Sequence, residues 1–282
     1  MLRGVAGARH TVRPRAAAGR QRGGSWGSGS RGASARLARA GAVERAAQSD
    51  LRGRFATGGG SADLLWGRIV ETEPEGTTLE IRGAGISIDS LTVRLQLPGR
   101  HNAANALGVA GAAALMGVPG DAIAAGLAGF RGVGRRLERT GEGSGVVVYD
   151  DYGHHPTAIR ETLAALRQIE PGRRIWAVYE PLTYHRTAAM LEQFARVLAT
   201  ADCVAIADIW AGRDPDTSVT STAALAEAVA RQRPGMVAVA PGSVEATAAW
   251  LAGQVRPGDA VLVMGGGKSY RIAELLAQAL QT

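Results

Sequence analysis

The feature that most limits the fold of this chain is a regular alternation through its second half, where short apolar runs give way to stretches of helical period. The runs at residues 146–149, 175–179, 203–207, 236–239 and 260–264 are four or five residues long, as strands buried on both faces tend to be. Helices are expected to begin near Pro156, Thr187, Thr222, Ser243 and Ser269; Pro156 suits a first turn, where its missing N–H is not needed. This repetition predicts an α/β fold, a doubly wound, mostly parallel, Rossmann-like sheet covered on both sides.

Ligands of such sheets bind at the carboxyl ends of the strands, and polar residues gather there in this sequence. Asp150, Asp151, Tyr152, His154 and His155 put five polar or ionisable side chains into six positions, a costly composition for a mere connection. Further clusters follow at residues 180–187, 208–216 and 265–269. If the strands are parallel, all four clusters share one edge, and a shared edge argues for a shared site. Two simpler identifications fail. Gly265-Gly-Gly-Lys-Ser269 lacks the glycine that a phosphate loop requires at position 262, which is Leu; it remains a glycine turn entering a helix, able to bind an anion through backbone N–H groups. A metal site on Asp150, Asp151, His154 and His155 is the lesser reading, because neighbours on a strand point to opposite faces, and no metal ligand is assigned.

Upstream, the runs at 64–70, 77–81 and 86–95 alternate in part and are separated by Pro and Gly, which predicts a small antiparallel β segment. Three strands with few large residues make a thin core that must lean on something else. Residues 97–107 open a helix on which Asn102 and Asn105 share a face beside His101. One Asn suffices as a cap; two amides on one face can also read the edge of a heterocycle. Asp121 is expected to cap the next helix. Arg135 and Arg136 follow Gly132 and Gly134, either as an anion-binding turn or as solvated surface charge.

The net charge of +7 invites a nucleic-acid partner, but nine arginines and no Asp or Glu lie in residues 1–43, so the rest of the chain carries −2. Residues 1–61 are expected to form a disordered tail rich in Arg, Gly and Ala. It can be a basic arm, an Arg-rich targeting peptide or a stretch with no selected role. With Trp26 as the one stacking candidate in residues 1–43, no nucleic acid is expected as a partner. Cys203 stands in an apolar run, which points to a packed core residue in a reducing compartment. No stretch is apolar enough to span a membrane, and a cytoplasmic location is expected.

The segments Gly99-Arg-His-Asn-Ala-Ala-Asn105, Gly132-Val-Gly-Arg-Arg-Leu-Glu138, Asp150-Asp-Tyr-Gly-His-His-Pro156, Pro181-Leu-Thr-Tyr-His-Arg-Thr187, Asp208-Ile-Trp-Ala-Gly212 and Met264-Gly-Gly-Gly267 resemble, in order and spacing, the Mur ligase family, and within it the branch that adds alanine. The resemblance implies ATP-dependent ligation through an acyl phosphate, with UDP-N-acetylmuramate and L-alanine as substrates and Mg2+ held by a central domain. It implies that residues 62–97 are the last strands of that central ATPase domain and residues 98–282 the carboxy-terminal domain. His101, Asn102 and Asn105 would lie against adenine, Arg136 on the ATP phosphates and Asp151 on the ribose. His154, His155 and Arg186 would lie near the amino acid and the acyl phosphate. The departure is as clear: the chain has no Gly-Thr-x-Gly-Lys-Thr loop and a single lysine, Lys268. A truncated form is therefore expected, inactive alone. The alternatives are a non-catalytic nucleotide- or amino-acid-binding module, one half of a ligase whose amino-terminal half is encoded separately, or a ligase that recycles murein peptide.

Overall fold

The computed structural model describes residues 50–56, 62–84 and 88–281; the expectations for residues 1–49 lie outside them. The first described elements are antiparallel strands in sequential order: β1 (Asp50–Ala56), β2 (Ala62–Glu73), β3 (Gly76–Ala84) and β4 (Leu91–Leu95). The sequence predicts three strands here and places residues 50–56 in the tail. They form instead an edge strand, paired with β2 from Asp50↔Arg68 to Ala56↔Ala62, with Leu51 in the core. An edge strand draws its stability from backbone pairing on one side, so it can carry a polar composition that reads as tail.

The support this small sheet needs is present in the chain. Helices α1 (Arg100–Leu115) and α2 (Gly120–Gly129) follow it, and Ala103, Ala106, Leu107, Ala110, Ala114 and Ile123 join Leu65, Leu79, Ile81, Val93 and Leu95 in one core. The boundary expected at residue 98 thus falls inside a core, not between two. Small side chains let α1 lie close, and at Gly67 a Cβ would stand 3.2 Å from Leu107 Cδ1. Helix α2 starts one residue before Asp121, at Gly120 with Pro119 as its cap, so Asp121 sits in the first turn, where a carboxylate favours the helix dipole.

The second sheet begins with β5 (Glu138–Gly143), antiparallel to β6 (Val146–Asp151). It then holds β7 (Arg174–Tyr179), β8 (Cys203–Ala207), β9 (Val237–Gly242) and β10 (Asp259–Met264), in the spatial order β5-β6-β10-β7-β8-β9. All five expected strands form, and β6 to β10 are mutually parallel. The side chains of β6, β7, β8 and β10 are mostly apolar and almost wholly buried because both faces are covered, whereas those of the edge strand β9 are only half-buried. On one face lie α3 (Pro156–Ile169), α5 (Leu191–Leu198) and α6 (Thr222–Gln232); on the other lie α7 (Val244–Ala252) and α8 (Ser269–Ala279). The helix expected near Thr187 is broken at Met190 into a short α4 (Tyr184–Ala189) and α5. Cys203 is buried in the core on the α7–α8 side. Among the described residues no helix is long and apolar enough to cross a membrane. Strand β5 was not expected: its residues are polar and mostly exposed, so no apolar period marks it.

Candidate functional site

The order β6-β10-β7-β8 sets four carboxyl-end loops side by side. Gly265 N donates to Asp151 O at 3.1 Å, Glu180 N to Met264 O at 2.9 Å, and Thr183 N to Trp210 O at 2.9 Å. The clusters at 150–155, 180–187, 208–216 and 265–269 therefore form one continuous rim.

The glycine turn does bind an anion, and the anion is the chain's own Glu180. This carboxylate is buried; its Oε2 accepts from Ser269 N at 2.7 Å, and the N–H groups of Gly267 and Lys268 also face it. Burial pushes its pKa up, against those hydrogen bonds. Close approach calls for glycine at two positions: a Cβ at Gly267 would stand 2.7 Å from the hydrogen-bonded Glu180 Oε2 and one at Gly265 2.9 Å from Glu180 O, whereas at Gly266 the nearest atom is the movable end of Leu182, Cδ1 at 2.7 Å. Sequence reasoning marked the turn and missed its occupant. The available signal was a lone acid at a strand end, Glu180, facing a glycine turn that enters a helix.

The two adjacent aspartates are also engaged. Asp150 Oδ2 accepts from Arg135 Nε at 2.9 Å. Asp151 accepts from Leu137 N at 2.9 Å on one oxygen and from Gly153 N at 2.6 Å on the other. Burial raises the pKa of both. Arg135 and Arg136, alike in sequence, diverge. Arg135 is spent on Asp150, Gly265 O and Ser269 Oγ. Arg136 is exposed, its guanidinium 5.5 Å from the centre of the Tyr152 ring.

The histidines take opposite tautomers when neutral. His154 Nδ1 lies 3.0 Å from Tyr152 O; a carbonyl only accepts, so that nitrogen carries the proton and Nε2 offers a lone pair. His155 is the N-cap of α3, and its Nδ1 accepts from Thr157 N at 3.3 Å, which leaves the proton on Nε2. Arg186 is exposed on α4, whose start is anchored by Asp214: this carboxylate accepts from His185 N at 3.0 Å and lies 2.8 Å from His185 Nδ1. Asp214 lies in the 208–216 cluster, but nothing in the sequence pairs it with His185.

Away from the second sheet, Asn102 and Asn105 line a largely apolar cavity of about 500 Å3 between β4, α1 and α2, with Leu95, Val109, Ile123, Leu127 and Phe130. Asn102 turns back to donate to Pro98 O at 2.8 Å, a local helix-start bond, whereas the Asn105 amide has no hydrogen bond among the described residues. His101 Nδ1 is buried without a partner. Burial lowers its pKa, with Glu161 and Asp151 opposing. A base whose folded pKa is lowered contributes full stability above its unfolded value of 6.5 and loses it as pH falls through the lowered pKa. Melts between pH 7.5 and 5 are therefore expected to show a decline on the acid side that is smaller in His101→Gln. An equal decline in both proteins would remove His101 as its source.

Residues 135–267 match the family described as Mur ligase, glutamate ligase domain. Over this span the chain belongs to the Mur ligase family. The match runs from Arg135 to Gly267, and Arg135 itself donates to Gly265 O near its far end. A UDP-N-acetylmuramate–L-alanine ligase from Mycobacterium sp. (strain JLS) is 40% identical over 234 residues, 81% of this chain and 46% of that protein. One from Roseiflexus sp. (strain RS-1) is 39% identical over 200 residues, 71% of this chain and 42% of that protein. The chain thus spans about half the length of the curated relatives it matches. The solved UDP-N-acetylmuramate–alanine ligase from Thermotoga maritima covers 74% of this chain and 44% of its own, with a TM-score of 0.59 at 21% identity, a likeness of fold.

Proposed function

We propose that this chain is the carboxy-terminal part of a cytoplasmic, ATP-dependent ligase that joins L-alanine to UDP-N-acetylmuramate. The observation that carries the reading is electrostatic. On the adjacent strand ends of β6, β10 and β7, the acids Asp150, Asp151 and Glu180 are consumed by the chain's own donors. Arg136, Arg186 and Lys268 remain exposed, with no ion pair among the described residues. At these three strand ends each acid accepts from the chain's own donors, though Asp150 Oδ1 keeps no partner, whereas the three cations have no acid; that imbalance favours an anionic ligand, and two of the cations are guanidinium forks suited to phosphate and carboxylate.

In this reading Arg136 takes the nucleotide phosphates, and Asp151, with a lone pair left on each oxygen, takes the ribose. Asn105, with Asn102 and His101 beside it, reads the adenine edge at the apolar cavity. His154, His155 and Arg186 face the amino acid and the activated carboxyl, with Arg186 orienting a carboxylate. ATP supplies the phosphoryl group that activates the acid. The residues present do not fit Mg2+: no group of three His, Cys, Asp or Glu among the described residues could hold a metal.

The small sheet with α1 and α2 is, in this reading, the end of the central ATPase domain, and its partner is an amino-terminal half. Helix α1 has no charged residue after Arg100, Val109 on it is 57% exposed beside the cavity, and Met116 just beyond its end is 84% exposed. Beyond the polar first turns that carry His101, Asn102 and Asn105, such an uncharged helix with exposed apolar side chains is suited to being covered. Calorimetric titration tests the adenine role. Asn105→Ala is expected to weaken ATP binding by about 1–3 kcal/mol, the cost of leaving a polar edge unpaired. Unchanged affinity in a folded variant would remove Asn105 from the site.

A further inference from the structure

We propose that Arg135 is a positioning residue for phosphate binding, a clamp that holds residues 132–138 in the conformation that presents Arg136; this rests on the reading that Arg136 takes nucleotide phosphates. The backbone on both sides of Arg136 is left-handed, with φ of 59° at Arg135 and 50° at Leu137. Residues with a Cβ seldom adopt that region, and when they do the surroundings must enforce it. The enforcement is visible. Arg135 N donates to Glu138 Oε2 at 2.7 Å, Tyr152 N to Arg135 O at 2.7 Å, and Leu137 N to Asp151 Oδ2 at 2.9 Å.

The Arg135 side chain then locks this loop to the rim. Its Nε donates to Asp150 Oδ2, and its Nη2 donates to Gly265 O at 2.9 Å and Ser269 Oγ at 3.0 Å. The rings of Tyr152 and Tyr270 each lie 5.1 Å from its guanidinium carbon. One guanidinium thereby joins the end of β6, the glycine turn and the start of α8, and its main donors are used up internally. Arg136 packs on the same Tyr152 ring and keeps its own donors exposed. A lysine at 135 could not reproduce these contacts, because an ammonium has no planar fork to reach three acceptors while stacking between two rings.

The test titrates the full chain and its variants with ADP and with adenosine, by calorimetry. Arg136→Ala is expected to weaken ADP about tenfold or more, as for a lost charge-assisted bond, and to leave adenosine unchanged. Arg135→Lys is expected to cause a similar ADP-selective loss. The double variant is expected to be no weaker than Arg136→Ala alone, because Arg135 acts through Arg136. Should Arg135→Lys fail to fold, Tyr270→Leu removes one face of the clamp without touching its hydrogen bonds and should give a smaller loss of the same selectivity. ADP binding unchanged in these variants, equal losses for ADP and adenosine, or losses that multiply in the double variant would overturn the proposal. Equal ADP binding by wild type and Arg136→Ala would instead overturn the phosphate reading, and no ADP binding by the wild type would overturn both.

Discussion

The purified 282-residue chain, mixed with ATP, magnesium, UDP-N-acetylmuramate and L-alanine, is expected to show no alanine-dependent phosphate release. The γ-phosphoryl group and the carboxylate it meets are both anionic, so their approach requires a bound cation and a cradle of backbone N–H groups. In this chain the one lysine, Lys268, stands on a glycine turn whose N–H groups already hold Glu180. That turn cannot also wrap two phosphates. Arg135 is committed to Asp150, which leaves Arg136, Arg186, Arg213 and Lys268 as the exposed positive charges of the rim among the described residues. Activity should return when the amino-terminal and central domains of a relative are supplied, in trans or by fusion, and Arg186→Ala should lower the recovered rate by at least two orders of magnitude, as for lost positioning of a reacting group. Phosphate release by the chain alone would overturn the dependence on a second half; full activity in Arg186→Ala would remove that residue from the site.

Glu180→Ala is expected to be among the most destabilising substitutions on the rim. The side chain is 3% exposed and receives Ser269 N at 2.7 Å, with Gly267 N and Lys268 N beside it at the start of α8. Its loss leaves several N–H groups without a partner where the backbone is packed, at about 1–3 kcal/mol for each that water does not reach. A net loss of about 3 kcal/mol corresponds to roughly 6–12 °C in melting temperature for a unit of this size. Gly267→Ala attacks the same contact from the other side, since its Cβ would stand 2.7 Å from Glu180 Oε2. Glu180→Gln keeps one acceptor and should retain part of the stability. A melting temperature for Glu180→Ala within about 2 °C of wild type would show that the nest is not a source of stability.

Much of the second sheet could be read directly from the chain, because an apolar period is a local property: a strand buried on both faces must be apolar at every position. The runs from Val146 to Met264 meet that condition, and each forms a parallel strand. Ligand-edge placement follows from parallel order, so the clusters after β6, β7, β8 and β10 fall on one rim as expected. Strands β1 and β5 escaped because an edge strand needs backbone pairing more than apolar side chains, and Glu138–Gly143 offers almost none.

What the sequence by itself determined was the α/β architecture and the list of polar residues that meet at the rim. Only the tertiary structure decided how those residues divide between holding the rim together and leaving donors open to a ligand. Arg135 and Arg136 are adjacent and chemically identical, yet Asp150, Gly265 and Ser269 claim the first and leave the second exposed. Asn102 and Asn105 share a helical face, yet Pro98 O takes the amide of the first. Glu180 lies 89 positions from Ser269, whose N–H it accepts. Period and composition are set by neighbours along the chain, whereas the pairing of a donor with an acceptor is set by which loops the strand order brings together, and that order is a property of the whole sheet.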